Sequence, residues 1–335
     1  MSARLERMLS IEEEIKEALK SLPEYMREFD LILAEQEENS FNTRLQYIKH
    51  VAQFLDFMQQ YKRYKLKNLN DLKQIQSVDV MEWKQSLGYY KGNDGKIYPT
   101  SNATIATKIS AIKKFFNCFE DKLEKNPALY IKRPKIKDKE PVIVEDDEMR
   151  LLFLNVKNGI GSHRARSHQK RYYIRDMTIL YILSCTGIRI APLVGLNIED
   201  VDLEAKTITV TSKGDVTSVK PFNDEVYEWV EKYYNQRITM NVETNALFIS
   251  NQNRRINVRT VQAMIKKYSQ GINKNISPHV FRKTFGTLVH QQTGDIKMVA
   301  DLLDHSQIQT TSKYYVKSTQ EKQKEILNNI NFVHV

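Results

Sequence analysis

Residues 277–284 read SPHVFRKT and have the pattern of a helix start. Ser277 is a residue type that caps helices, and Pro278 suits the first helical position because its missing N–H needs no partner there. His279 and Arg282 then share one face of the first turn. A helix N-terminus already carries partial positive charge, so two basic side chains there are unfavourable unless an anion binds. Taken alone, the stretch is explained by a capped helix whose polar residues face solvent.

Three further stretches in the same half of the chain carry side chains that phosphoryl chemistry uses. Guanidinium groups match phosphate oxygens, a lysine can protonate a leaving oxygen, and tyrosine can attack phosphorus if a base or a cationic setting activates it. These groups supply the positive charge themselves, so no metal and no cofactor is expected. The stretches are TGIRIAPLVGL (186–196) with Arg189, SKG (212–214) with Lys213, and HSQIQTTSKYYV (305–316) with His305 and Tyr314.

Length, charge and cysteine usage narrow the class of protein. The 335 residues suggest about two domains. A net charge of +10 favours a polyanionic partner such as nucleic acid, although a generally basic protein would have the same composition. Two cysteines exclude a disulfide framework and fit the reducing cytosol. No stretch approaches the length of a membrane span, and the N-terminus lacks the apolar centre of a signal peptide, so a cytoplasmic location is expected.

Hydrophobic periodicity predicts two regions of different type. Helices are predicted at 40–60 (after Ser40 as N-cap), 78–88 and 100–120, with a loop at 88–100, and the proline- and lysine-rich segment 134–144 reads as a linker. Beyond it, strand-like alternation around Ile208, Val210 and Val219 flanks a turn at 213–215. Helical patterns are predicted at 145–157, 174–186, 223–236, 257–269, 278–291 and 295–304.

Several basic residues are candidates for contacts with nucleic acid, although a solvated polar face explains them equally well. The stretch 161–175, GSHRARSHQKRYYIR, is strongly basic and reads either as a loop touching a phosphate backbone or as a disordered surface insertion. The candidate contact residues are Arg44, Lys49, Lys108, Lys113, Lys114, Arg164 and Arg166.

The four stretches, in this order, resemble the tyrosine recombinase (phage integrase) family. The resemblance runs from about residue 35 to residue 330 and also includes Arg175-Asp176 and the N-P-A of 126–128. Arg189 looks like the first catalytic arginine and Lys213 like the lysine of the family's β-hairpin. His279 and Arg282 form its H-x-x-R element. His305 looks like the second histidine, and Tyr314, nine residues later, looks like the nucleophile.

Two positions depart from the family's pattern. Pro192 stands where the first box usually has an acidic residue, so it cannot supply a carboxylate. Asp304 stands where a glycine usually precedes the second histidine, and its carboxylate could raise the pKa of His305 or disturb the backbone. Neither change removes a catalytic group.

The resemblance implies a two-domain fold. The expected architecture is an N-terminal helical extension (1–30), an all-α core-binding, SAM-like domain (31–133), the linker (134–144) and a mainly α catalytic domain with a small antiparallel sheet (145–335).

The implied activity is site-specific recombination or integration of duplex DNA, in the setting of a phage or other mobile element. It would proceed through a 3′-phosphotyrosine and a Holliday junction. The expected assembly is a homotetramer on DNA, with exchange of a C-terminal helix (318–330) between protomers and a possible need for accessory proteins. Two alternatives remain: a recombinase-fold DNA-binding regulator with little or no activity, which Pro192 and Asp304 would favour, and a type IB topoisomerase.

Overall fold

The described residues form two compact units. The computed structural model describes residues 3–36, 40–136, 142–211 and 217–304, so Lys213, His305 and Tyr314 lie outside the described residues. The division between the units falls between Lys139 and Glu140, inside the segment 134–144 that the sequence analysis interprets as a linker.

The first unit is helical around an aromatic core. Its centre is a group of rings in edge-to-face contact, with Phe54 meeting Trp83 at 5.1 Å and Phe116 at 5.9 Å between ring centroids. Ser40 caps its helix as expected, since its hydroxyl accepts from the Thr43 amide. The helices are α1 (Ala3–Leu19), α2 (Glu24–Glu35), α3 (Phe41–Lys62), α4 (Ser77–Ser86) and α5 (Asn102–Cys118).

The N-terminal helices belong to this same core. Ile11 and Ile15 of α1 and Phe29 of α2 are buried in the cluster that α3 and α5 complete. Helix α2 also runs across residue 30, where the sequence analysis ends the N-terminal extension.

The segment 88–100 is a β-hairpin, so its interpretation as a loop is wrong. Strand β1 (Tyr89–Lys91) pairs antiparallel with β2 (Ile97–Pro99), and Tyr90 lies opposite Tyr98. The amide of Gly92 donates to the Lys96 carbonyl at 2.8 Å and closes the turn. Each strand has only three residues, all exposed, so no alternation of buried and exposed positions marks it.

The second unit is built around one helix that is buried on nearly all sides. This helix, α8 (Tyr173–Thr186), packs against α6 (Asp146–Asn158), α10 (Asp224–Ile238) and α12 (Pro278–Thr293), which explains its largely apolar sequence after Asp176. The helices of this unit are α6 (Asp146–Asn158), α7 (His163–Lys170), α8 (Tyr173–Thr186), α9 (Ile190–Gly195), α10 (Asp224–Ile238), α11 (Val258–Tyr268), α12 (Pro278–Thr293) and α13 (Ile296–Leu302).

The basic stretch 161–175 is helical for most of its length. Ser162 caps α7 by accepting from the Ala165 amide at 3.3 Å, and α8 begins at Tyr173. Both sequence-based interpretations, a loop and a disordered insertion, are therefore wrong.

A three-stranded antiparallel sheet lies beside these helices, in the order β3 (Val201–Asp202), β4 (Thr207–Thr211) and β5 (Thr217–Pro221). In its register, buried Ile208 lies opposite Lys220, and buried Val210 lies opposite Ser218. Ser218 and Lys220 are two residues apart, so both side chains point to the same face of β5.

Candidate active site

Arg189 is placed by a tight turn at the end of α8. Gly187 terminates that helix in the left-handed conformation, at φ +60°. Ile188 is then buried, and Arg189 takes extended backbone angles directly before α9. The Arg189 Nη2 atom lies 3.4 Å from the backbone carbonyl oxygen of Asp304, to which it donates.

Arg282 reaches the same place from α12. It is only 4% exposed. Its Nη1 donates to the carbonyl oxygen of Gly187 at 2.7 Å, and its Nη2 donates to the carbonyl oxygen of Leu303. One guanidinium therefore connects the turn after α8 to the end of α13, which a planar fork with several N–H donors can do.

His279 lies on the first turn of the same helix, more open to solvent. Partial desolvation, followed by the nearby charges of Lys283, Arg282 and Arg189, lowers the pKa of its imidazole below the ordinary value. Ser277 and Pro278 occupy the expected N-cap and first helical positions, but the Ser277 hydroxyl makes no capping bond.

Lys220 is a third cation at this place, and the sequence analysis missed it. It is 4% exposed, and its Nζ lies 2.6 Å from the carbonyl oxygen of Leu302 and 2.6 Å from Oδ1 of Asp304. One signal could have revealed Lys220: in the sheet it lies directly opposite Ile208, an apolar residue of the buried face. A lysine at such a position is rarely buried without a partner.

Three cationic side chains thus converge on three consecutive carbonyl groups. Lys220 binds the carbonyl of residue 302, Arg282 that of residue 303, and Arg189 that of residue 304. The carbonyls at the end of a helix carry partial negative charge and have no partner within the helix. The structure therefore brings Arg189 and Arg282 together at the segment that immediately precedes His305, and the charges of both arginines act on the imidazole of His279.

The carboxylate of Asp304 is bound to one of these cations, Lys220, at 2.6 Å. The pKa of Lys220 lies below its ordinary value, because burial together with the charges of Arg282 and Arg189 lowers it more than the hydrogen bond and the charge of Asp304 raise it. Asp304 itself has φ +48°, in the left-handed region that favours glycine.

Arg175 and Asp176 have a buried position within the second unit. Arg175 donates from Nε and Nη2 to Oδ1 of Asp176, and from Nη1 to the Ile249 carbonyl at 2.8 Å. The Tyr268 hydroxyl donates to the other oxygen of Asp176 at 3.1 Å. This pair ties α8, α11 and the segment around residue 249 together.

The candidate DNA-contact residues have different environments. Arg44 forms a two-pronged ion pair with Asp30, at 2.9 and 2.8 Å, and its side chain is 13% exposed. Lys49 is exposed and 3.5 Å from Glu14. The remaining candidates keep part of their surface open to solvent: Lys108, Lys113 and Lys114 on α5, and Arg164 and Arg166 on α7.

The part of the chain that the structure describes has neither a helix suited to span a membrane nor a candidate metal site. No helix there has the length and apolarity needed to cross a membrane. No group of three or more His, Cys, Asp and Glu side chains in these ranges could hold a metal ion.

Comparison with known proteins covers both units. The family model described as "Phage integrase family" matches residues 145–322, and the one described as "Phage integrase, N-terminal SAM-like domain" matches residues 26–121. Tyrosine recombinase XerC of Escherichia coli strain K12 is 30% identical over 217 residues, which is 63% of this chain and 69% of that protein.

Two solved structures share the fold. The XerH site-specific recombinase bound to difH substrate has a TM-score of 0.62 at 19% identity, over 87% of this chain and 79% of that one. The Tn1549 transposon integrase in complex with transposon right end DNA has a TM-score of 0.65 at 17% identity, over 91% and 98%.

These findings confirm the expected fold class, a SAM-like helical domain followed by a mainly α catalytic domain with a small antiparallel sheet. The catalytic-domain match alone covers more than half of the chain. The chain therefore belongs to the phage integrase family, the tyrosine recombinases.

Proposed function

We propose that this recombinase cleaves and rejoins duplex DNA at a specific site with Tyr314 as the nucleophile. In this proposal Arg189, Arg282 and His305 bind the non-bridging oxygens of the scissile phosphate. Lys213 and His279 transfer protons. Membership of the family makes the chain a DNA breaking-and-rejoining enzyme; the proposal concerns which residues perform the reaction.

One observation carries the assignment of roles. Arg189 and Arg282 come from two helices far apart in the sequence, yet both donate to the segment that ends at Asp304, one residue before His305. Attack on a phosphodiester builds negative charge on the non-bridging oxygens, and preorganised guanidinium donors stabilise that charge. In the sequence, His305 follows this segment directly and Tyr314 comes nine residues later, and the proposal assigns both to the same phosphate.

The reaction conserves the phosphodiester bond energy. The Tyr314 phenolate oxygen forms a bond to phosphorus, and the bond from phosphorus to the 5′ oxygen breaks. Lys213 gives a proton to that oxygen, which leaves as a 5′ hydroxyl, while the 3′ side stays on the enzyme as a phosphotyrosine. The 5′ hydroxyl of a partner strand then attacks the phosphotyrosine and releases Tyr314. Neither ATP nor hydrolysis is required.

His279 suits the acceptance of the phenol proton. Its lowered pKa keeps the imidazole neutral at pH 7, and only the neutral form can take a proton. A bound phosphate adds negative charge nearby and raises the pKa, which favours the proton's transfer to the imidazole once DNA is in place.

Covalent trapping on a nicked suicide substrate tests the nucleophile. Because the short fragment released by cleavage diffuses away, the phosphotyrosine accumulates and can be seen on a denaturing gel. We expect trapping by the wild type, none by Tyr314→Phe, and trapping by Tyr315→Phe, which changes the adjacent tyrosine by the same one atom. Trapping that survives Tyr314→Phe and is lost in Tyr315→Phe would assign the nucleophile to Tyr315.

Intact DNA substrates with the sequence of the suicide substrate distinguish recombination from the two alternative functions, DNA-binding regulation and topoisomerase activity. A DNA-binding regulator would shift the substrate on a native gel without a covalent product. A topoisomerase would relax supercoiled plasmid without exchanging strands between two sites.

We also propose DNA-backbone contacts by basic residues of both units that keep part or all of their surface open to solvent. Lys49, Lys108, Lys113 and Lys114 belong to the first unit, and Arg164 and Arg166 to α7. Arg44 is left out because its guanidinium is largely buried and bound to Asp30 by two hydrogen bonds, whereas the ion pair of Lys49 with Glu14 is exposed and longer. Removing one phosphate-binding side chain should weaken binding at all sequences alike and reduce the salt dependence of log K by about one unit. Lys114→Gln and Arg164→Gln should show this change, whereas Lys232→Gln, whose lysine pairs with Glu228, serves as the control.

The assembly and setting complete the proposal. Two strand exchanges through a Holliday junction require four protomers, so we propose a tetramer on DNA with residues 318–330 docking on a neighbouring protomer. Deletion of 318–335 should then reduce tetramer formation more than binding of a single subunit.

The low cysteine content supports a cytoplasmic location. A mobile element is the proposed setting, and the proposal leaves room for accessory proteins.

A further inference from the structure

Lys220 lies where a strand normally places an apolar side chain. It is the buried residue of β5, opposite Ile208 in the register of the sheet. A buried ammonium loses its hydration and needs both an anion and hydrogen-bond acceptors to remain charged. Lys220 has the Asp304 carboxylate at 2.6 Å and the Leu302 carbonyl at 2.6 Å.

Ser218 completes the environment of the carboxylate. Its hydroxyl lies 3.2 Å from Oδ2 of Asp304, while Lys220 binds Oδ1. The two donors are on the same face of β5 because they are two residues apart. Both oxygens of Asp304 are therefore held by one strand, and the side chain of Asp304 is 22% exposed.

The backbone of Asp304 shows why this carboxylate is unusual. Its φ of +48° is one that glycine adopts without strain and that aspartate tolerates better than most residues. Glycine is the family's usual residue here. An aspartate introduces modest strain together with a negative charge among three cations, and that charge would compete with a DNA phosphate unless it were bound elsewhere.

We propose that Lys220 and Asp304 are a positioning pair for the recombination reaction. Lys220 holds the carboxylate of Asp304 and the carbonyl of Leu302 on β5. The pair thereby fixes the backbone of residues 302–304, to which Arg189 and Arg282 donate. Held in this way, Asp304 keeps the left-handed backbone conformation that a glycine would adopt without strain. The pair also connects this backbone to the sheet whose strands β4 and β5 flank Lys213. This inference rests on the proposed function.

The two residues should affect the reaction in an interdependent way. Lys220→Met removes the ammonium and leaves the carboxylate next to Arg189 and Arg282, where it opposes phosphate binding in the transition state. Asp304→Asn keeps a residue that tolerates positive φ but leaves Lys220 buried without its anion. Removing both charges and restoring glycine, in Lys220→Met/Asp304→Gly, should relieve both problems.

Single-turnover cleavage of the suicide substrate by the full-length protein tests the pair. We expect Lys220→Met to lower the cleavage rate at saturating DNA by about tenfold to a hundredfold, the usual reduction when a positioning interaction is removed. The DNA concentration for half-saturation should change by less than about threefold, since the site still carries its two arginines. The double variant should return to within about threefold of the wild-type rate.

The matched control is Lys206→Met, which removes a lysine from an exposed ion pair with Asp224 near the same sheet. Lys206→Met should leave both the cleavage rate at saturating DNA and the half-saturating DNA concentration unchanged. The thermal unfolding midpoint of each variant is measured first, and the cleavage assays are run well below the lowest midpoint. Slower cleavage at that temperature is then not caused by unfolding.

Three results would overturn the inference: an unaffected Lys220→Met rate, a double variant no faster than the slower single one, or losses that follow the folded fraction alone. If the wild type itself forms no covalent complex that depends on Tyr314, the proposed function fails as well.

Discussion

Gly187 offers the sharpest test of how the site is built, because a single methyl group there meets two neighbours at once. A Cβ at this position would lie 2.6 Å from Cδ1 of Phe285 and 2.7 Å from Cδ2 of Leu303, both well inside contact distance. Leu303 is fully buried and has little room to withdraw. The φ of Gly187 is +60°, so a side chain is also conformationally strained.

The two effects can be separated by magnitude. The left-handed backbone disfavours a residue with a Cβ by about 1–2 kcal/mol, and overpacking of a filled site costs about 1–3 kcal/mol. Gly187→Ala should therefore destabilise the second unit by about 2–5 kcal/mol. Gly294→Ala is the matched control, because Gly294 also ends a helix, at φ +68°, but a methyl group there would have no neighbouring atom within 4 Å. Gly294→Ala should lose only the stability that the left-handed backbone conformation costs, about 1–2 kcal/mol.

Thermal unfolding followed by circular dichroism measures the difference. For a unit of this size, each kcal/mol lowers Tm by about 2–4 °C, so Gly187→Ala should unfold several degrees below Gly294→Ala. Gly187→Ala should also cleave more slowly at temperatures where it is fully folded, since Gly187 and Leu303 supply the carbonyls that hold Arg282. Equal loss of stability in both variants would refute the packing argument, and unchanged cleavage by folded Gly187→Ala would refute the link to Arg282.

Three further predictions concern charge. Arg282→Lys should retain DNA binding but lose about 100- to 1000-fold in single-turnover cleavage, because one ammonium cannot hold two carbonyls and a phosphate as a guanidinium does; near-wild-type cleavage would contradict this. NMR titration of His279 should give a pKa below about 6.5, and Lys283→Gln should raise it. Because folding lowers this pKa, His279 contributes stability above about pH 6.5 that is lost as the pH falls through and below it; a pKa at or above 6.5 would refute the assigned cause. Asp30→Ala should destabilise the first unit by about 3 kcal/mol in urea unfolding, because it leaves the guanidinium of Arg44 without its carboxylate; a loss below about 1 kcal/mol would mean the pair is effectively solvent-screened.

The positions of several helices could be read from the sequence because their causes are local. Ser40 precedes an apolar stripe and caps α3, and the stretch beginning at Ser277 starts α12. Capping and helical periodicity depend on residues within about four positions of one another. The hairpin at 89–99 was missed because three exposed residues per strand leave no periodic signal, and α7 because its many basic residues resemble a solvated loop.

The sequence by itself determined the family and the order of the reactive side chain types, since these depend on which residues occur and at what spacing. Only the tertiary structure decided that Lys220 pairs with Asp304 across 84 positions, and that Arg44 is bound to Asp30 rather than free for DNA. A buried ion pair between distant positions forms only where packing brings two charges together and removes the water around them. No local pattern in the chain records that outcome, because the burial of Lys220 depends on how the sheet meets the end of α13.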